Sequence, residues 1–402
     1  MRVPLRWIAA GTFLLSTSLN YLDRQLLAAL APTLQSEFHL NNAQYGQMQS
    51  VFFIVYALIA PLAGWFIDRV GLNLGATIAV TAWSMAGSAT ALVASFPGLL
   101  ACRTLLGAAE AAGIPSVGKA NATFLEPKEL AFGSAMNQIS ITLGSVAAPL
   151  IVAALAPLYG WRTTFAFCGA LGFLWVPLWW FVARRVPARV MNNAPAAGAG
   201  ALLRDRRLWG LVVGNALVMT VYALWTNWLT LYFVTERHLT PLEANQSFAW
   251  IPPVFAGVGG LVGGWMSYRW IRGGMGVIAA RLRVCWISAA VLLATAAVPF
   301  MPVNTLAAAA ISLSFFWTLT LSANLYPLPI DLWGPARAAT GVAALTSAYG
   351  LMQTLVSPLI GTLVDRVGFT PVCVAIAALP LAGVFVLQKT LGGANDFARR
   401  HS

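Results

Sequence analysis

The chain has 402 residues, 59% of them hydrophobic and 9% charged, with a mean hydropathy of +0.75. Soluble domains carry about 45–50% apolar and about 25% charged residues, so the composition excludes an ordinary soluble enzyme, a nucleic-acid-binding domain and a disordered chain. The net charge of +12 would suit a polyanion, but the placement of the basic residues points to a lipid surface instead.

A membrane-crossing helix needs about 20 mostly apolar residues. Twelve stretches of that kind are read at 6–34, 43–67, 74–95, 98–121, 130–155, 162–184, 207–235, 242–269, 281–301, 304–328, 338–363 and 368–390. The short basic start, Met1 to Arg6, runs into an apolar stretch too long for a cleavable leader. Breaks fall at turn-forming or charged clusters: Asn41-Asn42, Asp68-Arg69, Glu126-Pro127-Lys128-Glu129 and Gly334-Pro335. One long polar linker separates six spans from six. The expected organisation is therefore an all-α membrane protein of twelve transmembrane helices in two six-helix halves. A bundle at 1–186 is followed by a linker at 187–206, a bundle at 207–391 and a tail at 392–402.

Charge sets the expected orientation. With the N-terminus inside, 19 of the 24 Lys and Arg fall on the inner side and 3 (Arg162, Arg237, Arg366) on the outer side; Arg24 and Arg103 lie within spans. That asymmetry is a strong positive-inside signal and puts both termini in the cytoplasm. The basic residues then meet anionic lipid headgroups, not nucleic acid. An internal echo supports the two halves. Gly64-Trp65-Phe66-Ile67-Asp68-Arg69 follows the second span and Gly264-Trp265-Met266-Ser267-Tyr268-Arg269 the eighth. Parallel halves of this kind are a transporter architecture.

Four charges lie inside apolar spans: Asp23, Arg24, Arg103 and Glu110. Each would cost about 2.5–3.5 kcal/mol facing lipid at a helix centre, so they are expected to face the bundle interior and form the functional site. Arg103, Gly107 and Glu110 recur at one helical face. Asn20 and Arg24 share another, while Asp23 points about 100° away from Arg24. Tyr21 and Tyr56 add phenols. The set is balanced at two positive and two negative charges. An anionic ligand unbalances it, and a proton on Asp23 or Glu110 restores the balance and frees an arginine for a carboxylate. Burial and a neighbouring arginine act in opposite senses on such a carboxyl group, leaving it sensitive to protonation. Proton-linked uptake of an organic anion uses all four charges.

The second half offers neutral groups: Trp225, Asn227, Trp317, Asn324, Ser347, Tyr349 and Gln353, with Trp228 beside them. Amides and hydroxyls suit a polyhydroxylated ligand, and indoles suit the apolar face of a sugar-like chain. The run Gly257 to Gly264 does not fit a dinucleotide loop and reads as close helix packing. Four scattered cysteines and three scattered histidines support neither a disulfide framework nor a metal site. Neither an enzyme nor a cofactor is expected; the coupling ion is H⁺.

These residues resemble those of the major facilitator superfamily, and within it the anion:cation symporters, which include hexuronate and aldohexonate transporters. The matching motifs are Asn20-Tyr21-Leu22-Asp23-Arg24-Gln25, Gly64-Trp65-Phe66-Ile67-Asp68-Arg69-Val70-Gly71, Arg103 to Ala112, and Phe248-Ala249-Trp250-Ile251-Pro252. The resemblance implies proton-coupling roles for Asp23 and Glu110. It implies substrate or charge-relay roles for Arg24 and Arg103, and substrate contacts for Tyr21 and Tyr56. Asp68 and Arg69 would act in gating, Asp68 by latching neighbouring helices. Two departures stand out: Leu72-Asn73-Leu74 follows the loop signature where basic residues are usual, and Ile141 stands where aldohexonate carriers place a glutamine. The expected protein is a monomeric proton symporter that imports a sugar acid across a bacterial inner membrane. Other carboxylates, efflux, and a solute sensor are the alternatives.

Overall fold

A computed structural model describes residues 5–126, 129–186 and 202–391, and every regular element among them is helical. Most of the expected linker, from 187 to 201, and the tail at 392–402 lie outside the described residues. The first-half helices are α1 (Leu5–Ala29), α2 (Ala31–Phe38), α3 (Asn42–Val70), α4 (Leu72–Ala89), α5 (Phe96–Glu110), α6 (Gly113–Phe124) and α7 (Leu130–Ala183). Then come α8 (Arg206–Thr235), α9 (Pro241–Ala244), α10 (Ile251–Arg272), α11 (Val277–Leu292), α12 (Asn304–Leu325), α13 (Leu328–Trp333), α14 (Pro335–Val367) and α15 (Phe369–Leu391). All twelve expected spans are occupied by helix.

Among the described residues, eight helices are long and apolar enough to cross a membrane. One of them, within α7, holds two expected spans joined at Gly160, whose φ of 77° turns the chain. Glycine tolerates that left-handed backbone because it has no Cβ. The three expected spans outside this set are short or interrupted. The first span divides at Leu30 into α1 and α2, the third is the 18-residue α4, and the fourth divides after Glu110 into α5 and α6. At this last break Ala111 and Ala112 keep right-handed helical dihedrals, and the break adjoins a fully buried carboxylate.

Local chemistry fixes several ends. Asn41 caps α3: its side chain accepts from the Gln44 backbone N–H at 2.8 Å, and the Gln44 side chain accepts from the Asn41 N–H at 3.0 Å. This reciprocal pair satisfies two donors that a helix start leaves open. Ser95 caps α5 by accepting from the Gly98 N–H.

The chain folds as two compact units. The first comprises Met1–Asn193 with Leu229–Trp250, and the second Ala194–Trp228 with Ile251–Ser402. In the first unit, α1 packs on α7 through Phe13, Trp175 and Trp179, the two indoles stacked at 5.6 Å. The Trp175 indole N–H donates to the Thr12 carbonyl at 2.7 Å. Asn245, in a five-residue π-helical segment between α9 and α10, donates to the Ala29 carbonyl at 2.9 Å and accepts from Thr230. In the second unit, α10 lies against α12 with almost no room between backbones. A Cβ on Gly259 would strike the Phe316 carbonyl, and one on Gly263 the Thr320 carbonyl. The glycine run thus serves close packing, as its composition implied.

Candidate functional site

The four intramembrane charges of the first unit converge from α1 and α5. Arg24 donates from Nε to Glu110 Oε2 at 2.6 Å. The Glu110 side chain is 0% exposed and that of Arg24 14%, so the arginine is the accessible member. Three aromatic rings surround its guanidinium: Tyr56 at 4.8 Å, and Tyr21 and Phe52 each at 5.1 Å from guanidinium carbon to ring centroid. Such cation–π contacts contribute about 2 kcal/mol when desolvated. They hold the cation with ring faces and leave its remaining N–H groups for an oxygen ligand. Asn20 is buried one turn before Arg24 and its amide approaches Glu110.

Asp23 faces a different partner, as its angular offset from Arg24 requires. It lines a small cavity with Leu27, Met48, Gly87, Thr90, Leu99, Arg103, Leu106 and Phe165. The cavity measures about 10 Å³, which is room for roughly one water. Asp23 Oδ1 has no hydrogen-bond partner among the described residues. Arg103 is buried; its Nη2 donates to Gln49 Oε1 at 3.4 Å, and its guanidinium carbon lies 4.6 Å from the Phe52 centroid. Gln49 Nε2 in turn donates to the Tyr45 hydroxyl at 3.0 Å.

One face of α3 supplies the groups around the two arginines. Tyr45, Gln49, Phe52 and Tyr56 recur at i, i+4, i+7 and i+11, and all four are buried. Only Tyr56 was expected from the sequence. The other three belong to the same helical stripe, which extending the period back from Tyr56 would have revealed. The stripe can lie this close to α5 because position 107 is glycine: a Cβ there would stand 2.6 Å from the Phe52 carbonyl oxygen.

Asp68 and Arg69 lie apart from this cluster at the end of α3. Lys119 of α6 donates to Asp68 Oδ1 at 3.0 Å and to the Ile67 carbonyl at 2.9 Å, tying the two helices. Arg69 is exposed and lies 5.6 Å from the Trp65 ring.

The second-unit candidates divide into two groups. Asn227 Nδ2 donates to Gln353 Oε1 at 3.2 Å, Ser357 donates to the same oxygen, and Gln353 Nε2 donates to the Tyr349 hydroxyl at 2.8 Å. Tyr349 is half-buried beside Tyr222, which packs on Phe315. Asn324 and Trp225 are fully buried. The Asn324 amide donates to the Gly263 and Thr320 carbonyls, so it fastens α12 to α10. Ser347 is exposed, and Trp317 packs edge-on against Phe316 at 5.3 Å. Among the described residues no group of three His, Cys, Asp or Glu is placed to hold a metal.

The comparisons with known proteins agree with this architecture. The family profile of the Major Facilitator Superfamily matches residues 13–345. The hexuronate transporter of Escherichia coli (strain K12) is 27% identical over 409 residues, covering 96% of this chain and 94% of its own. The galacturonate transporter of Dickeya chrysanthemi is 28% identical, covering 65% of this chain and 81% of its own. In fold, the chain is similar to a bacterial homolog of the human lysosomal transporter Spinster, in an inward-facing and occupied conformation. That similarity has a TM-score of 0.77 at 20% identity and covers 99% of this chain and 98% of that one. This multi-pass helical chain is a membrane transporter rather than an enzyme, and it belongs to the Major Facilitator Superfamily.

Proposed function

We propose that this protein imports a hexuronate, or a closely related aldohexonate, together with protons by alternating access. The observation that supports this most is the Arg24–Glu110 ion pair: a partly accessible guanidinium is occupied by a fully buried carboxylate at 2.6 Å. A substrate carboxylate has the same geometry as Glu110 and competes for the same fork. A proton on Glu110 removes the competing charge and releases Arg24, so binding of the anion and binding of the proton favour one another. Asp23, facing Arg103 across a one-water space, is the second proton-linked carboxylate. Tyr21 and Tyr56 flank the bound carboxylate. The names of the hexuronate and galacturonate relatives favour this cargo. The strong excess of basic residues on one side favours cytoplasmic termini in a bacterial inner membrane. The protein works as a monomer with H⁺ as its coupling ion and no cofactor.

The test is uptake of labelled glucuronate, galacturonate, gluconate and galactonate into proteoliposomes, with and without an inward proton gradient. Gradient-stimulated accumulation of one of these acids is expected. Uptake indifferent to the gradient refutes the coupling. Absence of uptake for all four acids, in liposomes that transport another carboxylate, refutes the cargo.

A further inference from the structure

Arg103 is buried and, among the described residues, forms no ion pair, unlike Arg24. The groups facing it are the anions Asp23 and Glu110, the cation Arg24 and the phenol of Tyr45. Those facing Asp23 are Glu110, Arg103 and the thiol of Cys168. The only acceptor that Arg103 reaches among the described residues is a neutral amide, Gln49 Oε1.

The polarity of that amide is set from behind. Gln49 Nε2 donates to the Tyr45 hydroxyl one helical turn away, which leaves Oε1 turned to Arg103. The flipped amide would set two donors against a guanidinium that has no acceptor. Because Gln49 is uncharged, it fixes the position of Arg103 without neutralising it. The countercharge across the cavity is then Asp23. A carboxylate at position 49 would satisfy Arg103 locally and leave Asp23 without it.

We propose that Gln49, oriented by Tyr45, is a positioning residue that keeps Arg103 turned toward Asp23 and reserves its charge for proton coupling instead of substrate binding. This rests on the proton-coupled uptake proposed above and assigns the two arginines different tasks, Arg24 to the anion and Arg103 to the proton.

The experiment uses the full chain in proteoliposomes with D-glucuronate as probe. Counterflow, which needs no gradient, is compared with gradient-driven accumulation for wild type, Gln49→Glu, Gln49→Met and Tyr45→Phe, with thermal melting as the folding control. Gln49→Glu and Gln49→Met are expected to keep counterflow and glucuronate affinity within about threefold, and to lose gradient stimulation by about tenfold or more. Tyr45→Phe, which frees the amide without removing it, is expected to show a smaller loss of stimulation. If Gln49→Met does not fold, Gln49→Glu and Tyr45→Phe carry the comparison. Counterflow and affinity falling in parallel with stimulation would make Arg103 a substrate contact and overturn the proposal. So would variants that keep wild-type stimulation. A wild type that exchanges glucuronate but ignores the gradient refutes the coupling reading itself, an outcome separable from both.

Discussion

Replacing Glu110 by glutamine is expected to tighten anion binding while abolishing accumulation. In the wild type, Arg24 Nε is engaged by a charged oxygen at 2.6 Å, and an incoming carboxylate must displace it. A hydrogen bond to a charged group contributes about 1.5–3 kcal/mol. The amide of Glu110→Gln keeps the shape and an acceptor but removes the charge, so most of that competition disappears. At 1.4 kcal/mol per factor of ten, the variant should bind glucuronate about ten- to a hundredfold more tightly at neutral pH. The cost appears in the apo protein: removing one partner of a buried ion pair destabilises by about 3–5 kcal/mol, less here because the amide oxygen remains. Isothermal titration in detergent gives the affinity, and melting with and without glucuronate gives the stability. Saturating ligand should recover much of the lost melting temperature, since the anion replaces the missing charge. An affinity equal to or weaker than wild type, in a folded variant, would refute the view that Glu110 occupies the anion's place on Arg24.

Gly107→Ala puts a Cβ 2.6 Å from the Phe52 carbonyl, which is backbone and cannot rotate away; the overpacking should cost about 1–3 kcal/mol, and wild-type melting would contradict it. Asn245→Ala leaves the Ala29 carbonyl and the Thr230 hydroxyl without their buried partner, a loss of about 1–3 kcal/mol that the same melts would detect. Asp205, outside the spans, accepts from Arg207 and Trp333, and the Arg207 hydrogen bond holds its carboxyl down at about 2. An unfolded aspartate titrates near 3.9, so the stability this carboxylate contributes is complete above about pH 4 and is lost as pH falls through 2. Asp205→Asn should therefore melt below wild type at pH 7, with the gap closing as pH is lowered from 4 toward 2; a gap that does not depend on pH would show that charge plays no part.

The twelve spans were legible because hydropathy over about 20 residues is a property of the chain alone. The breaks at Leu30 and after Glu110 were not read, since both occur inside apolar runs, although Pro32 stands in the first turn of α2 and Gly113 opens α6. The four charges were legible for the same reason as the spans: they are costly in lipid. That Asp23 and Arg24 would face apart also followed from helical geometry. What spacing within one helix cannot tell is which face of the next helix it meets. The stripe from Tyr45 to Tyr56 shows this, since Gln49 becomes informative only once Arg103 of α5 is seen beside it. Asn324 shows the converse, a buried amide whose hydrogen bonds run to backbone carbonyls in the same unit.

Phe52 touches both guanidinium groups, on one side at 5.1 Å and on the other at 4.6 Å. A single ring that solvates two cations makes them thermodynamically linked without contact between them. Whatever strengthens the hold of the ring on one arginine alters what it offers the other. Substitutions at Arg24 and Arg103 should consequently fail to add in a double-mutant cycle, and Phe52→Leu should reduce the coupling, leaving the part that passes through Glu110. If Arg24 serves the anion and Arg103 the proton, as proposed above, this shared aromatic neighbour is one path by which the two sites sense each other.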